Sequence, residues 1–189
     1  MPVFHGASLF LDRDGVLNKR PGKSYVTKPG DFLWIGGSLE SLARLRSCFD
    51  RIFVVTNQQG VGKGLMDEEM LAAIHRKMLS DIQGAGGRVD RVYGATGLRH
   101  QDSTMRKPAE GMALMAQRDF PEIRFEKSWM VGDTMRDMLF GKRLGMHTAL
   151  IAGPGDVPPA YRVADYRFAS LEDFTNFILS RCPGVPRRT

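Results

Sequence analysis

An apolar segment near the N-terminus runs directly into two aspartates and a glycine. Residues 9–11 are apolar and favour a strand, and Asp12, Asp14 and Gly15 follow at once. This pattern predicts a buried strand that ends in a tight turn. In an open parallel sheet, ligands bind at the carboxyl ends of the strands. Two neighbouring acids repel each other unless a cation lies between them, and Mg²⁺ accepts carboxylate oxygens. An exposed turn uses the same residue types, so the segment taken by itself leaves both interpretations open.

Further apolar segments alternate with amphipathic helical patterns along the chain. The predicted strands after the first one cover residues 51–56, 88–95, 128–133, 147–152 and 166–169. Strand-then-helix units in this order predict an α/β fold, with a doubly wound, Rossmann-like parallel sheet and helices on both faces. We expect a single domain over residues 1–189 without a separate cap domain, because the segment between Gly60 and Arg106 is too short to supply one.

Two of the helical patterns predict which side chains are buried. In the first helix, which we expect to begin at Ser38 and end at Asp50, one face carries Leu39, Leu42, Leu45 and Phe49. In the second helix, which begins near Asp67, the predicted buried stripe consists of Met70, Ile74, Met78 and Ile82. These stripes are typical of helices that pack against a sheet.

A long connection at residues 19–37 is basic and rich in proline and glycine. Connections of this length within a domain usually carry function. We expect this one to fold over the site and to hold the substrate, with Arg20 and Lys23 as candidate contacts.

A set of polar residues lies at the carboxyl ends of the predicted strands or in the loops beyond them. They are Asp12 and Asp14, Thr56 and Asn57, Lys107, and Asp133. A phosphoryl transfer needs a nucleophile, a cation, donors to the phosphoryl oxygens and an acid for the leaving group. This set contains all of these groups, so it predicts a phosphoryl-transfer site.

The residue types suggest a role for each side chain. Asp12 can attack phosphorus and form an aspartyl-phosphate, and Asp14 can protonate the leaving oxygen and later deprotonate water. Thr56 and Lys107 can bind the phosphoryl oxygens, while Asp133 adds a metal carboxylate. Asp137, one helical turn after Asp133, can orient its neighbours.

Four segments together resemble the four motifs of the haloacid dehalogenase superfamily. They are residues 10–18, 55–60, 106–108 and 131–137. Within that superfamily, Asp-Arg-Asp-Gly at residues 12–15 with Asn18 is similar to the branch of the histidinol-phosphate and heptose 1,7-bisphosphate phosphatases.

The resemblance implies a Mg²⁺-dependent phosphomonoesterase with Asp12, Asp14 and Asp133 around the metal. Arg106 would contact the sugar or its second phosphate, Asn57 and Gln58 would also bind substrate, and Asn18 would support the site. The implied substrate is D-glycero-D-manno-heptose 1,7-bisphosphate, which loses its 7-phosphate on the way to the nucleotide-activated heptose of bacterial lipopolysaccharide.

The chain departs from this branch in the loop before Arg106. Relatives commonly carry a zinc site there, but residues 94–105 contain His100 and no cysteine, so we expect no zinc. Glu110 and Thr134 also differ from the usual residues, which leaves the sugar specificity open. Histidinol phosphate remains a second candidate substrate.

The net charge of +6 and the pI of about 9.6 favour an anionic ligand. Basic residues are scattered, so we expect a small-molecule phosphorylated sugar rather than a nucleic acid, and a monomer as the working unit. A 3′-phosphate of a nucleic acid stays an alternative, because Tyr25 and Trp34 accompany basic residues. A non-catalytic phosphate-binding module is a further alternative.

Neither a leader nor an apolar run of membrane-spanning length is found in the sequence, so we expect a cytoplasmic protein without a membrane partner. Cys48 and Cys182 match no disulfide or metal framework.

Overall fold

The computed structural model, which describes residues 4–20, 24–100, 104–153 and 159–181, contains a six-stranded parallel sheet. The strands are β1 (Phe4–Leu11), β2 (Phe49–Asn57), β3 (Arg91–Ala95), β4 (Trp129–Gly132), β5 (His147–Ile151) and β6 (Tyr166–Phe168). Their order across the sheet is β3-β2-β1-β4-β5-β6, and every neighbouring pair is parallel. This is the order of a Rossmann-like sheet, so the predicted fold class is confirmed.

Helices cover both faces of the sheet. They are α1 (Ser38–Leu45), α2 (Gln59–Gly62), α3 (Glu68–Gly84), α4 (Gly111–Asp119), α5 (Met135–Arg143) and α6 (Leu171–Ser180). Leu9 and Leu11 pack in a core with α1, α3 and α6, whereas Phe10 packs in the opposite core with α4 and α5. Because successive side chains of β1 enter different cores, the strand must be apolar throughout, which explains the unbroken run in the sequence.

The chain reverses its direction of winding between β1 and β4. From β1 the sheet extends through β2 to β3 on one side, and from β4 through β5 to β6 on the other. Leu11 is paired with Val131, and the Asp12 amide donates to the Val131 carbonyl at 2.9 Å. The residues that follow these two strands, Asp12 and Asp133, therefore meet at the switch point where open α/β sheets bind ligands.

The predicted end of the first helix was wrong. Helix α1 ends at Leu45, and Phe49 and Asp50 belong to β2. Phe49 is buried in the same core as Leu42 and Leu45. Its apolar character and its spacing from Leu45 therefore fit both a continued helix and the strand that follows.

The buried stripe of α3 was predicted correctly except at its start. Ile74, Met78 and Ile82 are buried, but Met70 is 39% exposed and Leu71 takes its place. Residues spaced by four move gradually around a helix that has 3.6 residues per turn. The three-residue step from Leu71 to Ile74 offsets part of this rotation and keeps the buried residues on one face.

Within the described residues, none of the helices combines the length and the apolarity needed to cross a bilayer.

Candidate active site

Asp12 lies buried at the end of β1, with 6% of its surface exposed. One carboxylate oxygen, Oδ1, accepts hydrogen bonds from the Arg13 amide at 2.8 Å and from Lys107 Nζ at 2.9 Å. Burial, together with the nearby acids, raises the pKa of Asp12 to about 7 although Lys107 opposes the shift. An ionised carboxylate at this position is costly, and any added positive charge would stabilise it.

Lys107 is the buried cation next to Asp12. Its Nζ also contacts Asp137 Oδ1 at 2.6 Å and donates to the Val55 carbonyl at 2.7 Å. Burial alone would lower the pKa of Lys107, but the charges of Asp12 and Asp137 outweigh it and raise the pKa. Two hydrogen bonds join the side chain of Asn57 to the backbone of Lys107. The Lys107 amide donates to Asn57 Oδ1 at 3.0 Å, and Asn57 Nδ2 donates to the Lys107 carbonyl at 3.2 Å. Asn57, predicted to bind substrate, thus anchors Lys107 while also lining the pocket.

Asp137 has two structural partners on the first turn of α5. Its Oδ2 accepts from the Thr134 amide at 3.0 Å and contacts the Thr134 hydroxyl at 2.5 Å, which forms a capping box at the helix start. Its Oδ1 binds Lys107. Asp137 is only 1% exposed and lines the pocket, but both of its oxygens are engaged, so it holds Lys107 and does not present a free carboxylate.

The carboxylate of Asp14 is turned toward a buried network. Arg13 Nη2 and Asn18 Nδ2 donate to Oδ1 at 3.0 and 2.9 Å, and Gln58 Nε2 donates to Oδ2 at 2.7 Å. Burial opposes ionisation, but the charge of Arg13 and these hydrogen bonds lower the pKa of Asp14. Asp14 was expected to ligate the metal. The backbone carbonyl of Asp14 was expected to be available for the ion, and this carbonyl shares Arg20 Nε with Asp133 Oδ2, whereas the carboxylate is engaged in the network.

Arg13 is the centre of this network, and the sequence analysis assigned it no role. It is 1% exposed, and besides Asp14 it donates to Gln58 Oε1 at 3.1 Å and contacts His75 Nε2 at 3.2 Å. Burial and the charge of Arg13 lower the pKa of His75 to about 4. Gln58, predicted to bind substrate, also donates to the Thr56 hydroxyl at 2.8 Å and is 2% exposed, so its amide serves mainly the wall of the site. The signal in the sequence was the position of an arginine between two acids directly after a buried strand.

The acids at this edge fit a hard divalent cation. Carboxylate oxygens of Asp12, Asp133 and Asp137 lie within 4.8 Å of one another. Gly15 has φ of +98°, and a Cβ at this position would lie 1.9 Å from Asp133 Oδ2, so only glycine lets the Asp133 carboxylate approach the turn after β1. Arg20 Nε already lies 2.8 Å from Asp133 Oδ2 and 3.1 Å from the Asp14 carbonyl. Because Lys107 and Thr134 engage both oxygens of Asp137, the oxygens that remain suited to a cation are those of Asp12, Asp133 and the Asp14 carbonyl.

A pocket of about 330 Å³ opens above Asp12 and Lys107. We call three arginines that line it, Arg99, Arg106 and Arg136, the rim arginines. In the described part of the chain, none of the three forms an ion pair with a carboxylate. Burial and the charges of Arg136 and Arg99 lower the pKa of Arg106. The pocket therefore has a carboxylate at its floor and three positively charged arginines at its rim. These arginines attract anions.

The connection at residues 19–37 contributes to the pocket as expected. Arg20 and the segment Ser24, Tyr25 and Val26 line it. Lys23, the other predicted contact, lies outside the described residues. Trp34 is not at the pocket: its indole donates to Asp81 at 2.9 Å and its ring packs edge-on against Phe32.

Known proteins are similar to this chain in sequence and in fold. A family model described as HAD-hydrolase-like matches residues 104–166. A D-glycero-alpha-D-manno-heptose-1,7-bisphosphate 7-phosphatase of Mycobacterium bovis is 37% identical over 134 residues, which cover 71% of this chain and 70% of the relative. A D-glycero-beta-D-manno-heptose-1,7-bisphosphate 7-phosphatase of Pasteurella multocida is 31% identical over 179 residues, covering 90% of this chain and 96% of the relative.

Solved structures agree with these sequence relatives. The D,D-heptose 1,7-bisphosphate phosphatase of B. bronchiseptica, crystallised with magnesium and phosphate, superposes with a TM-score of 0.81 at 26% identity, covering 92% of this chain and 98% of that one. The D,D-heptose 1,7-bisphosphate phosphatase of Burkholderia thailandensis superposes with a TM-score of 0.66 at 32% identity, covering 92% and 99%.

Proposed function

The chain belongs to the haloacid dehalogenase-like hydrolases, in the branch of the heptose 1,7-bisphosphate phosphatases, and we propose that it removes the 7-phosphate of D-glycero-D-manno-heptose 1,7-bisphosphate. One observation carries the proposal: Asp12 and Lys107 form a buried pair, 2.9 Å apart, at the base of a pocket whose three rim arginines form no ion pair with any carboxylate that the structure describes. The base suits the phosphoryl group that is transferred, and the rim suits a second anionic group of the same substrate.

In the first step, a carboxylate oxygen of Asp12 attacks phosphorus while the bond from phosphorus to the sugar oxygen breaks. The sugar oxygen takes a proton from Asp14 and leaves as an alcohol. Lys107 neutralises charge on the phosphoryl oxygens, since its Nζ lies against the attacking carboxylate. The Thr56 hydroxyl, which is buried between Gln58 and the pocket, donates to another phosphoryl oxygen.

In the second step, Asp14 takes a proton from a water molecule, and the water oxygen attacks the phosphorus of the aspartyl-phosphate. The bond to Asp12 breaks, inorganic phosphate leaves and both carboxyl groups return to their starting forms. Asp14 must rotate away from Arg13 and Gln58 and take up a proton from solvent before it can act as the acid, because these partners and Asn18 engage both of its carboxylate oxygens and lower its pKa.

Asp12, Asp133 and the carbonyl of Asp14 would hold Mg²⁺. The bound ion neutralises the phosphoryl oxygens and lowers the cost of the ionised Asp12. Asp137 then acts through Lys107 and through the start of α5 as a positioning residue.

The rim arginines support a substrate with two phosphates. Burial, and after it the charges of Arg136 and Arg99, lower the pKa of Arg106, so an anion that lies between the three arginines gains more than at a neutral surface. In this proposal the rim binds the phosphate that remains on the sugar. A substrate with one phosphate would leave the rim unneutralised.

The two alternatives raised by the sequence have less support. A nucleic-acid end would need several exposed aromatic platforms; of the two aromatic residues that raised this alternative, Trp34 packs against Phe32 and bonds to Asp81, and Tyr25 alone lines the pocket. Histidinol phosphate carries a cationic amine, which the rim arginines would repel.

A phosphate-release screen tests the substrate. We expect the highest kcat/KM for heptose 1,7-bisphosphate, with release of the 7-phosphate only, and both anomers should be assayed because the two relatives differ in anomer. Histidinol phosphate and a 3′-phosphorylated oligonucleotide complete the screen. A higher kcat/KM for either of them would contradict the proposed substrate while leaving the phosphatase chemistry intact.

Asp12→Asn tests the covalent step. The amide cannot attack phosphorus, so phosphate release should fall about a thousandfold or more, while the far-ultraviolet circular dichroism spectrum stays that of the wild type. Glu122→Gln is the matched control: it removes an acid that pairs with Arg51 at the opposite edge of the sheet, and its activity should be unchanged. Turnover of Asp12→Asn within tenfold of the wild type would contradict the aspartyl-phosphate step.

We also propose that the monomer is the working unit, because a single copy of the chain is sufficient to bring Asp12, Lys107 and Asp133 together. Light scattering coupled to size exclusion measures the oligomeric state, and a stable dimer at assay concentration would contradict this part.

A further inference from the structure

Arg20 binds the same oxygens that the proposed function gives to Mg²⁺. Its Nε and Nη2 lie 2.8 and 2.7 Å from the two oxygens of Asp133, and Nε also donates to the Asp14 carbonyl at 3.1 Å. The guanidinium thus forms a two-pronged contact with one acid and a third contact with the turn after β1. Because Nε lies between Asp133 Oδ2 and the Asp14 carbonyl oxygen, an ion that ligates both oxygens would occupy the space that the guanidinium now fills.

The acids around Arg20 need a positive charge. Asp133 is largely buried, and burial raises its pKa while Arg20 opposes the shift. Asp12 and Asp137 add further negative charge nearby, which raises the pKa of Arg20 as well. Arg20 therefore supplies the charge that the acidic group requires when its guanidinium is in place.

The side chain of Arg20 can leave this position without a change in the backbone. The Arg20 side chain is about half exposed, whereas the preceding residues are fixed: the Lys19 amide donates to the Leu33 carbonyl at 2.8 Å, and Asn18 is bridged to Trp34. Rotation about the side-chain bonds alone would move the guanidinium off Asp133. Arg20 also lines the pocket, where Arg99, Arg106 and Arg136 lie.

We propose that Arg20 is a tethered internal cation which Mg²⁺ displaces from Asp133 and the Asp14 carbonyl, and which then donates to the phosphoryl group in the pocket. The inference rests on the proposed function, because it takes Asp133 as a metal ligand. It assigns Arg20 two successive partners, first the acids and then the substrate. Metal binding would thereby prepare a donor for the phosphoryl oxygens.

Metal titration of the full chain tests the displacement. The probe is Mn²⁺, followed by the electron paramagnetic resonance of the free ion, with no substrate present. In Arg20→Gln the ion no longer competes with a guanidinium, so Mn²⁺ should bind about tenfold more tightly than in the wild type.

Arg136→Gln is the matched control for charge. It removes the same positive charge from the same pocket, but Arg136 has no carboxylate partner among the residues that the structure describes. Its Mn²⁺ affinity should change by no more than about twofold. If both variants bind Mn²⁺ equally tightly, or if Arg20→Gln binds it no more tightly than the wild type, displacement is contradicted.

Inorganic phosphate tests the second partner. At saturating Mg²⁺, isothermal titration should show that Arg20→Gln binds phosphate about fivefold or more weakly than the wild type, because one charged donor is lost. Equal phosphate affinity in the two proteins would contradict the transfer of Arg20 to the phosphoryl group.

Asp133→Asn separates this inference from the proposed function. Loss of Mn²⁺ binding in Asp133→Asn, together with unchanged binding in Arg20→Gln, contradicts the role of Arg20 alone. Full Mn²⁺ affinity in Asp133→Asn contradicts the metal site on which both proposals depend.

Discussion

At the scale of residues, the site depends on buried groups whose charge states are fixed by their neighbours. Arg13 donates to His75 Nε2, and an arginine side chain has no acceptor, so this nitrogen must be unprotonated. A second proton on His75 would face the charge of Arg13 without a compensating acid in contact. The network below Asp14 therefore requires a neutral imidazole.

The resulting prediction concerns stability in mild acid. The pKa of His75 falls from 6.5 to about 4 on folding, so the folded protein binds fewer protons than the unfolded chain between these values. The stability that depends on neutral His75 is complete above pH 6.5 and is lost as the pH falls toward 4. When the pH is lowered from 7 to 5, the contribution of His75 should reduce the free energy of unfolding by about 2 kcal/mol.

Urea unfolding at the two pH values measures this loss. The free energy of unfolding should differ less between pH 7 and pH 5 in His75→Gln than in the wild type, by about 2 kcal/mol. His147→Gln, which removes an exposed histidine beside Trp129, should keep the pH dependence of the wild type. An identical pH dependence in His75→Gln and the wild type would contradict the prediction.

Residue types and spacing located the acids of the site, but they could not give the direction of each side chain. Asp12 and Asp133 lie together because each directly follows one of the two strands at the switch point, and Lys107, in the loop before α4, reaches Asp12 at 2.9 Å. Gln58 also lies at the end of a strand, two residues after Thr56, yet its side-chain amide contacts the buried Arg13. Whether a polar group at a strand end turns inward depends on a partner distant in sequence, and no local pattern encodes that partner.

At the scale of elements, the start of α5 links helix stability to the position of Lys107. The capping box of Thr134 and Asp137 fixes the Asp137 carboxylate, whose other oxygen binds Lys107. The sequence predicted that Asp137 lies one turn into this helix and orients its neighbours. The boundary of α1 could not be obtained in the same way, because Phe49 is apolar and buried whether it ends a helix or begins a strand.

Thr134→Ala should therefore reduce both stability and activity. Loss of the cap should lower the unfolding free energy by about 1 kcal/mol, and the freed Asp137 should hold Lys107 less firmly, which lowers kcat several-fold. Ser170→Ala is the matched control, because Ser170 caps α6 by accepting from the Asp173 amide at 3.1 Å. Urea unfolding should show a similar loss in both variants, and phosphate release should fall only in Thr134→Ala. Equal activity of the two variants would exclude a link through Asp137.

At the scale of the whole molecule, a bound metal would join the two halves of the sheet. Asp12 follows β1 and Asp133 follows β4, so a cation held by both binds only when the halves are folded together. Ligands that bind only the folded state stabilise it according to their concentration.

Mg²⁺ should consequently raise the thermal midpoint. At a hundred times its dissociation constant, we expect an increase of about 5–10 °C for a chain of this size, reversed by EDTA. Differential scanning calorimetry measures the shift. Asp133→Asn should abolish most of the increase, and Glu122→Gln, at the opposite edge, should keep it. An unchanged midpoint with saturating Mg²⁺ would show that the ion does not bind the folded protein.

The pairing of Leu11 with Val131 also has a consequence for biosynthesis. Translation delivers Asp12, the proposed nucleophile, 121 residues before Asp133. Under the proposed chemistry, a nascent or truncated polypeptide that ends before β4 lacks one of the metal carboxylates. Such incomplete translation products therefore should not consume phosphorylated metabolites.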